Sequence, residues 1–318
     1  MMKQIKKVGI AGAGIMGAAI SQVLSGHAES ITVYDNNPDQ FERLIASVKQ
    51  AQEVLLKHGV LSESEAERNL SRIHTSSNIE VLADSDMVIE AILENLAVKQ
   101  SFFEELEKVC RPDTILATNT SGLGIADIGA KIKDKSRYLG GNWWTPAHLI
   151  PLVEIVRTPE TSDETVETMC GFLRMAGKKP IVLNRDSDGF VGNRLQFALF
   201  REALHVVEEG LCSVEDVDLV LTAGLGLRYA VLGPFRVADF GGVDTYHHIS
   251  EHLFTVLDNS REVSPVLSEV FEEGRYGVKT KHGFYEYTDD AKRQALLNAR
   301  DSKLLDILSI TGGEFQEE

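Results

Sequence analysis

Residues 6–17, KKVGIAGAGIMG, leave few folds open to this chain. A short apolar run with the look of a buried strand (6–12) passes directly into G-x-G-x-x-G, and the last glycine already lies in a stretch of helical spacing, IMGAAISQVLSG (15–26). A strand, a tight turn and a helix account for that order. Gly12 makes the turn, Gly14 lets a ligand approach the backbone, and Gly17 lets the helix pack on the strand. The next apolar run, SITVYD (30–35), ends in an acid, Asp35. The free N–H groups at Ile15, Met16 and Gly17, with the positive end of the helix dipole, would hold a pyrophosphate. Asp35 would accept hydrogen bonds from the adenosine ribose hydroxyls and repel a 2′-phosphate, and Asn36 and Asn37 add no positive charge. The expected cofactor is therefore NAD rather than NADP. A tight strand–helix turn without a ligand is the plainer reading, and the βαβ context weighs against it.

The alternation continues through the first half. NPDQFERLIASVKQAQEVLLKHG (37–59) reads as a long helix with Asn37 as cap and Pro38 at its first position. SESEAERNLSRI (62–73) opens with a serine followed three residues later by Glu65, the pattern of a capping box. Then come the strand DMVIEAI (86–92), the helix LAVKQSFFEELEKV (96–109) and the strand TILATNT (114–120). From residue 189 onward nearly everything reads as helix, in runs over 189–210, 213–223, 243–258, 263–274 and 290–309, with LGPF and HGFYEY as connectors. The expected fold is α/β: a doubly wound, mostly parallel Rossmann-type domain over 1–187, then an all-helical domain over 188–318.

Composition excludes several functions. There is no run of 18 apolar residues that could span a membrane, and the basic-then-apolar N-terminus reads as a strand because glycines interrupt it. Cys110, Cys170 and Cys212 lie far apart, which argues against a disulfide framework or zinc site and suits a reducing cytoplasm. A net charge of -16 argues against nucleic-acid binding and leaves any polyanionic ligand to local features. No metal is expected. His248 and His252 stand four apart on a helical run, but a solvated helix face explains them. The short basic patches KIKDK (131–135) and GKK (177–179) could meet the phosphates of a CoA ester or be surface turns. RDSKLLDILSI (300–310) could cap the helical domain or join a dimer interface, and the terminal GGEFQEE reads as frayed.

With the glycine loop and Asp35, six further segments carry a resemblance: VIEAILENLAVK (88–99), ATNTSGL (117–123), PLVEIV (151–156), which stands in the longer HLIPLVEIV (148–156), GFVGNRL (189–195), GPFRVADFGGVDT (233–245) and GVKTKHGFYEY (277–287). From about residue 6 to 288 the chain resembles the L-3-hydroxyacyl-CoA dehydrogenase family. It looks most similar to the branch containing lambda-crystallin, L-gulonate dehydrogenase and carnitine dehydrogenase, which oxidises free hydroxy acids. The resemblance implies that Ser121 binds the substrate hydroxyl, Glu154 orients a catalytic histidine, and Asn193 binds substrate. It implies that Glu94, Lys99, Asn119, Ser121 and Lys279 contact the cofactor. Two positions depart from the family: its histidine falls on Asn142, and a nicotinamide-neighbouring asparagine falls on Thr145. Implied partners are a hydroxy acid or acyl-CoA substrate and a second copy of the chain, joined through the helical domain.

The residues raise the same problem without the resemblance. Taking a hydride from a secondary alcohol leaves a proton that a base must accept, and such catalysis contributes about 10²–10⁴ in rate. An asparagine amide takes no proton near neutrality. Three readings stay open: His148 or Glu154 serves as the base, hydride transfer persists slowly or runs as reduction with water supplying the proton, or the chain is an NAD-binding protein without turnover. Trp143 and Trp144, the only tryptophans, adjoin the site as core or as a substrate wall.

Overall fold

The computed structural model of the chain describes residues 3–311, so the terminal GGEFQEE lies outside the described residues. In order, the elements are β1 (Lys7–Ala11), α1 (Ile15–Ser25), β2 (Ser30–Tyr34), α2 (Gln40–Lys57), α3 (Glu63–Ser71), β3 (Ile73–Ser76), β4 (Met87–Glu90), α4 (Leu96–Val109), β5 (Ile115–Thr118), α5 (Ile125–Ile128), β6 (Tyr138–Trp143), β7 (Leu152–Arg157), α6 (Asp163–Met175) and β8 (Lys179–Leu183). Helices follow: α7 (Gly192–Glu208), α8 (Val214–Val220), α9 (Gly226–Tyr229), α10 (Pro234–Gly241), α11 (Val243–Leu253), α12 (Pro265–Glu272) and α13 (Asp290–Thr311).

The strands form one sheet in the order β3-β2-β1-β4-β5-β6-β7-β8, parallel throughout except for the antiparallel pair β6/β7. That order reverses between β1 and β4, so a crevice opens beyond their carboxyl ends, where the glycine loop begins. Successive strand residues point to opposite faces, and the apolar side chains sort accordingly. Ile10, Met87, Ile89, Ile115, Ala117 and Leu139 pack with α1, α2 and α6 on one face. Ala11, Val88, Leu116 and Tyr138 pack with Phe102, Phe103 and Leu106 of α4 on the other. Burying a side chain such as Phe103 or Leu106 contributes roughly 1.5–3 kcal/mol. Both faces are covered, so β4, β5 and β6 are buried at every position, and β4 and β5 read as continuous apolar runs up to Glu90 and Thr118 rather than as alternating ones.

The chain divides into two compact units, Met1–Arg194 and Leu195–Glu318. The first is the α/β body just described. The second is helical, and among its described residues the buried apolar side chains are Leu204, Val237 and Val270. No single described helix is long and apolar enough to cross a membrane; one pair, Val214–Tyr229 and Pro234–Gly241, passes only jointly and is bent by 85°.

Local chemistry explains the element ends. Ser62 and Glu65 form the expected capping box at α3. Helix α2 starts two residues later than its spacing suggests, with Asp39 rather than Asn37 at the N-cap position. Two side-chain turns precede it: Asp35 Oδ1 accepts the Asn37 N–H at 2.9 Å, and Asn37 Oδ1 accepts the Asp39 N–H at 3.1 Å. LGPF is no mere connector: Pro234 takes the first position of α10. β3, α6 and β8 complete stretches that the sequence reading left unassigned.

Candidate active site

Each glycine of the loop meets a distinct constraint. Gly12 has φ +105°, and a Cβ there would lie 2.4 Å from the Ala91 carbonyl oxygen after β4. A Cβ on Gly17 would lie 1.8 Å from the Gly12 oxygen, so helix and turn touch backbone to backbone. At Gly14 the space is open. Gly14 caps α1 with no side-chain hydrogen bond, leaving the first N–H groups free for an anion. Asp35 sits at the end of β2 and its Oδ2 accepts the Ala13 N–H at 2.7 Å, which fixes the acid against the loop. An open approach, uncapped N–H groups and a carboxylate at the ribose position fit a dinucleotide. Met16 lies beside Thr145, whose hydroxyl donates to its sulfur at 3.2 Å.

Beyond β4 and β5 lies a buried charged cluster. The Lys99 ammonium, fully enclosed, sits 2.5 Å from Glu90 Oε1 and 3.1 Å from Glu94 Oε2. The Thr118 hydroxyl donates to Glu90 Oε2 at 2.6 Å. Burial pushes the Glu90 carboxyl up from its ordinary range, and the Lys99 ammonium opposes that. Glu94 is half-exposed and so can reach a ligand, whereas Lys99 has no outward face.

The substrate-side residues form a closed ring of hydrogen bonds within the first unit. Asn142 Nδ2 donates to Glu154 Oε2 at 2.9 Å across the register pair Asn142↔Glu154 of β6 and β7. Trp144 Nε1 donates to the same oxygen at 3.2 Å. Glu154 Oε1 accepts the N–H groups of Val191 and Gly192, at 3.0 and 2.9 Å, where α7 begins. The next residue, Asn193, donates from Nδ2 to the Ser121 carbonyl at 3.4 Å. Asn119, two residues before Ser121, closes the ring by accepting the Trp143 N–H at 3.0 Å. The Glu154 carboxylate is wholly buried and four donors fill its roughly four lone-pair sites. It therefore acts as the N-terminal cap of α7.

Asn119, Ser121, Asn142, Glu154 and Asn193 are thus brought together. His148 is half-buried in the β6–β7 connection, between the carbonyls of Ala147 and Ile150 that Lys178 holds. Lys279 belongs to the second unit, where it is exposed. Trp143 is core, stacked under the Lys178 ammonium at 5.5 Å, while Trp144 packs its ring where a Cβ on Gly192 would stand. Sequence reasoning missed Trp144 as a donor to Glu154, and Lys178 as a buried clamp; a lysine next to a glycine turn carries no such signal. His248 groups with His247 and Glu251, not His252, and all three are exposed on α11.

Lys178 yields a pH prediction. Burial alone lowers it from 10.5 to about 8. Between those values the unfolded chain keeps a proton the folded chain has lost, so this group makes stability rise with pH, by at most roughly 3 kcal/mol, and contributes no slope below about 8. Unfolding of wild type and Lys178→Met compared from pH 7 to 10 should show that slope only in wild type; equal slopes would refute the assignment.

The descriptions 3-hydroxyacyl-CoA dehydrogenase, NAD binding domain, and 3-hydroxyacyl-CoA dehydrogenase, C-terminal domain, match residues 7–187 and 189–287. The 5-formyl-3-hydroxy-2-methylpyridine 4-carboxylate 5-dehydrogenase of Mesorhizobium japonicum is 31% identical over 97% of this chain and 99% of its own. The mitochondrial hydroxyacyl-coenzyme A dehydrogenase of Homo sapiens is 33% identical over 89% of this chain and 91% of its own. A solved 5-formyl-3-hydroxy-2-methylpyridine 4-carboxylic acid 5-dehydrogenase, described as an NAD+ dependent dismutase, superposes with a TM-score of 0.90 at 31% identity, covering 98% of this chain and 100% of that one. These relatives are named as dehydrogenases, so a binding protein without turnover is not the favoured reading.

Proposed function

The chain belongs to the 3-hydroxyacyl-CoA dehydrogenase family, is an NAD-dependent oxidoreductase acting on a CH–OH group, and from that premise we propose that its substrate is a free 3-hydroxy acid or the matching oxo acid. The observation that carries this is the closed ring joining Asn119, Ser121, Asn193, Glu154 and Asn142. It brings the turn that carries Ser121 and the amide of Asn193 together at the ends of β6 and β7, the grouping that a grip on an oxygen needs. Hydride acceptance and return is the chemistry bound NAD supplies, with Asp35, the open Gly14 and the α1 N-terminus holding it.

Ser121 and Asn193 hold the substrate oxygen. Glu154 keeps Asn193 and Asn142 in place, and with its lone pairs filled it is an anchor rather than a carrier of protons. The hydroxyl proton then passes to water, the slow but sufficient route when orientation persists.

A free acid is preferred over a CoA thioester because each of the two basic patches has one of its lysines already engaged. Lys178 is buried on carbonyls, and Lys131 is paired with Glu104 at 3.3 Å. The near full-length relative whose named substrate is a pyridine carboxylate supports the same choice. Turnover should appear as NADH absorbance with a panel of free 3-hydroxy acids and should fall with Ser121→Ala. Turnover restricted to thioesters would overturn the substrate class.

The proposed assembly is a homodimer through the helical unit. Leu219, Leu227, Phe235, Phe240 and Phe254 are all more than half exposed there, a load of apolar surface that a monomer rarely carries. Light scattering should give twice the 35.1 kDa chain mass. Free Cys110, Cys170 and Cys212 fit a cytoplasmic setting.

A further inference from the structure

We propose that Thr120 is a positioning residue whose hydroxyl fastens the Ser121 turn to Glu94, the half-exposed acid that follows β4. The inference rests on the reading of Ser121 as the group that grips the substrate oxygen. Thr120 is 2% exposed, and its hydroxyl meets three partners. It donates to Glu94 Oε1 and accepts the N–H groups of Gly122 and Leu123, at 3.4 and 3.1 Å. That uses its one proton and both lone pairs. The other Glu94 oxygen is held by Lys99, and Lys99 is held by Glu90, which Thr118 and the Ile92 N–H complete. The line Glu90–Lys99–Glu94–Thr120 thus runs from the carboxyl end of β4 to the turn on which Ser121 stands exposed.

The direction of the argument follows from burial. Glu90 and Lys99 are wholly enclosed and cannot move without stranding a charge, so they fix Glu94. Glu94 then fixes Thr120, and Thr120 fixes the two amides directly after Ser121. One hydroxyl therefore sets the position of the Ser121 turn relative to the buried pair beyond β4.

The test uses the full-length chain with Thr120→Val, which keeps the shape and removes the hydroxyl, and Thr120→Ser, which restores it. Amide hydrogen exchange at Gly122 and Leu123 should accelerate by about 10–100-fold in Thr120→Val and return in Thr120→Ser. With the best 3-hydroxy acid of the panel, kcat/KM should fall by about 10–100-fold in Thr120→Val, while NADH affinity read by fluorescence changes by less than about threefold. Unchanged exchange at those two amides overturns the proposal, whatever the substrate. So does a loss that Thr120→Ser fails to rescue, because that is a packing defect. Ser121→Ala assayed in parallel separates the premise: if its turnover is unchanged, the reading of Ser121 has failed, and exchange alone judges the tie.

Discussion

Asn142→His should raise turnover of the preferred 3-hydroxy acid at pH 7 by about 10²–10⁴-fold, the range that a well-placed general base contributes. The site is already arranged to receive it. Asn142 Nδ2 donates to Glu154 Oε2 at 2.9 Å, and an imidazole Nδ1–H can make the same bond. Its other nitrogen would then be a bare acceptor near the residues that hold the oxygen, which no atom of the amide side chain can replace near neutrality. The pH profile gives a second, independent signature. An imidazole must be neutral to accept the proton, so oxidation by the variant should fall as pH drops through about 6–7 and level off above it. The measurement is initial rates of NADH formation from pH 5.5 to 9, with NADH affinity checked first. A folded variant that binds NADH and is no faster at any pH would show that proton removal does not limit this chain.

How far the sequence reaches depends on how local the cause is. Gly12, Gly14 and Gly17 were legible because they form one motif between an apolar strand and a helix, although the Ala91 carbonyl that crowds Gly12 lies far along the chain, and Asp35 because it closes the same βαβ unit. The sheet core was legible because β4 and β5 are buried on both faces and apolar up to their last residues, Glu90 and Thr118. β3 and β8 lie at the two edges of the sheet, with burial patterns that lack such a run, and they escaped. The late start of α2 escaped for another reason: the side chains of Asp35 and Asn37 each accept an N–H two residues on and hold residues 35–39 in turns ahead of the helix. Within the site, Asn142 and Glu154 stood out as an odd pair of residue types, yet only the fold makes them a register pair. The two N–H groups that reach Glu154 come from residues 37 and 38 positions later in the chain. Backbone donors leave no trace in residue identity, and so the acid's role as the cap of α7 could not be read in advance.

Glu154→Gln tests that role, because anchor and proton carrier predict different losses. A carboxylate offers acceptors on both oxygens, whereas the glutamine amide offers one acceptor and one donor group. If its oxygen stays with Val191 and Gly192, its NH₂ must face Asn142 and Trp144. Asn142 can turn its amide and present its own oxygen, but the Trp144 Nε1–H has only one role, so a buried donor is left opposite another donor. Turning the glutamine the other way strands both α7 amides instead. Either way the cost is roughly 2–4 kcal/mol, from one stranded donor and the loss of charge-assisted bonds. For a unit of this size that lowers the unfolding temperature by on the order of 10 °C. Because α7 begins at these amides and carries Asn193 one residue on, substrate KM should rise along with the loss of stability, and the shape of the pH profile should persist. A carrier of protons would give the opposite pattern: unfolding and KM near wild type, kcat reduced by orders of magnitude and a pH limb abolished. Thermal unfolding and a kcat and KM pair from one preparation decide between them, and an intact melting point would remove the anchor.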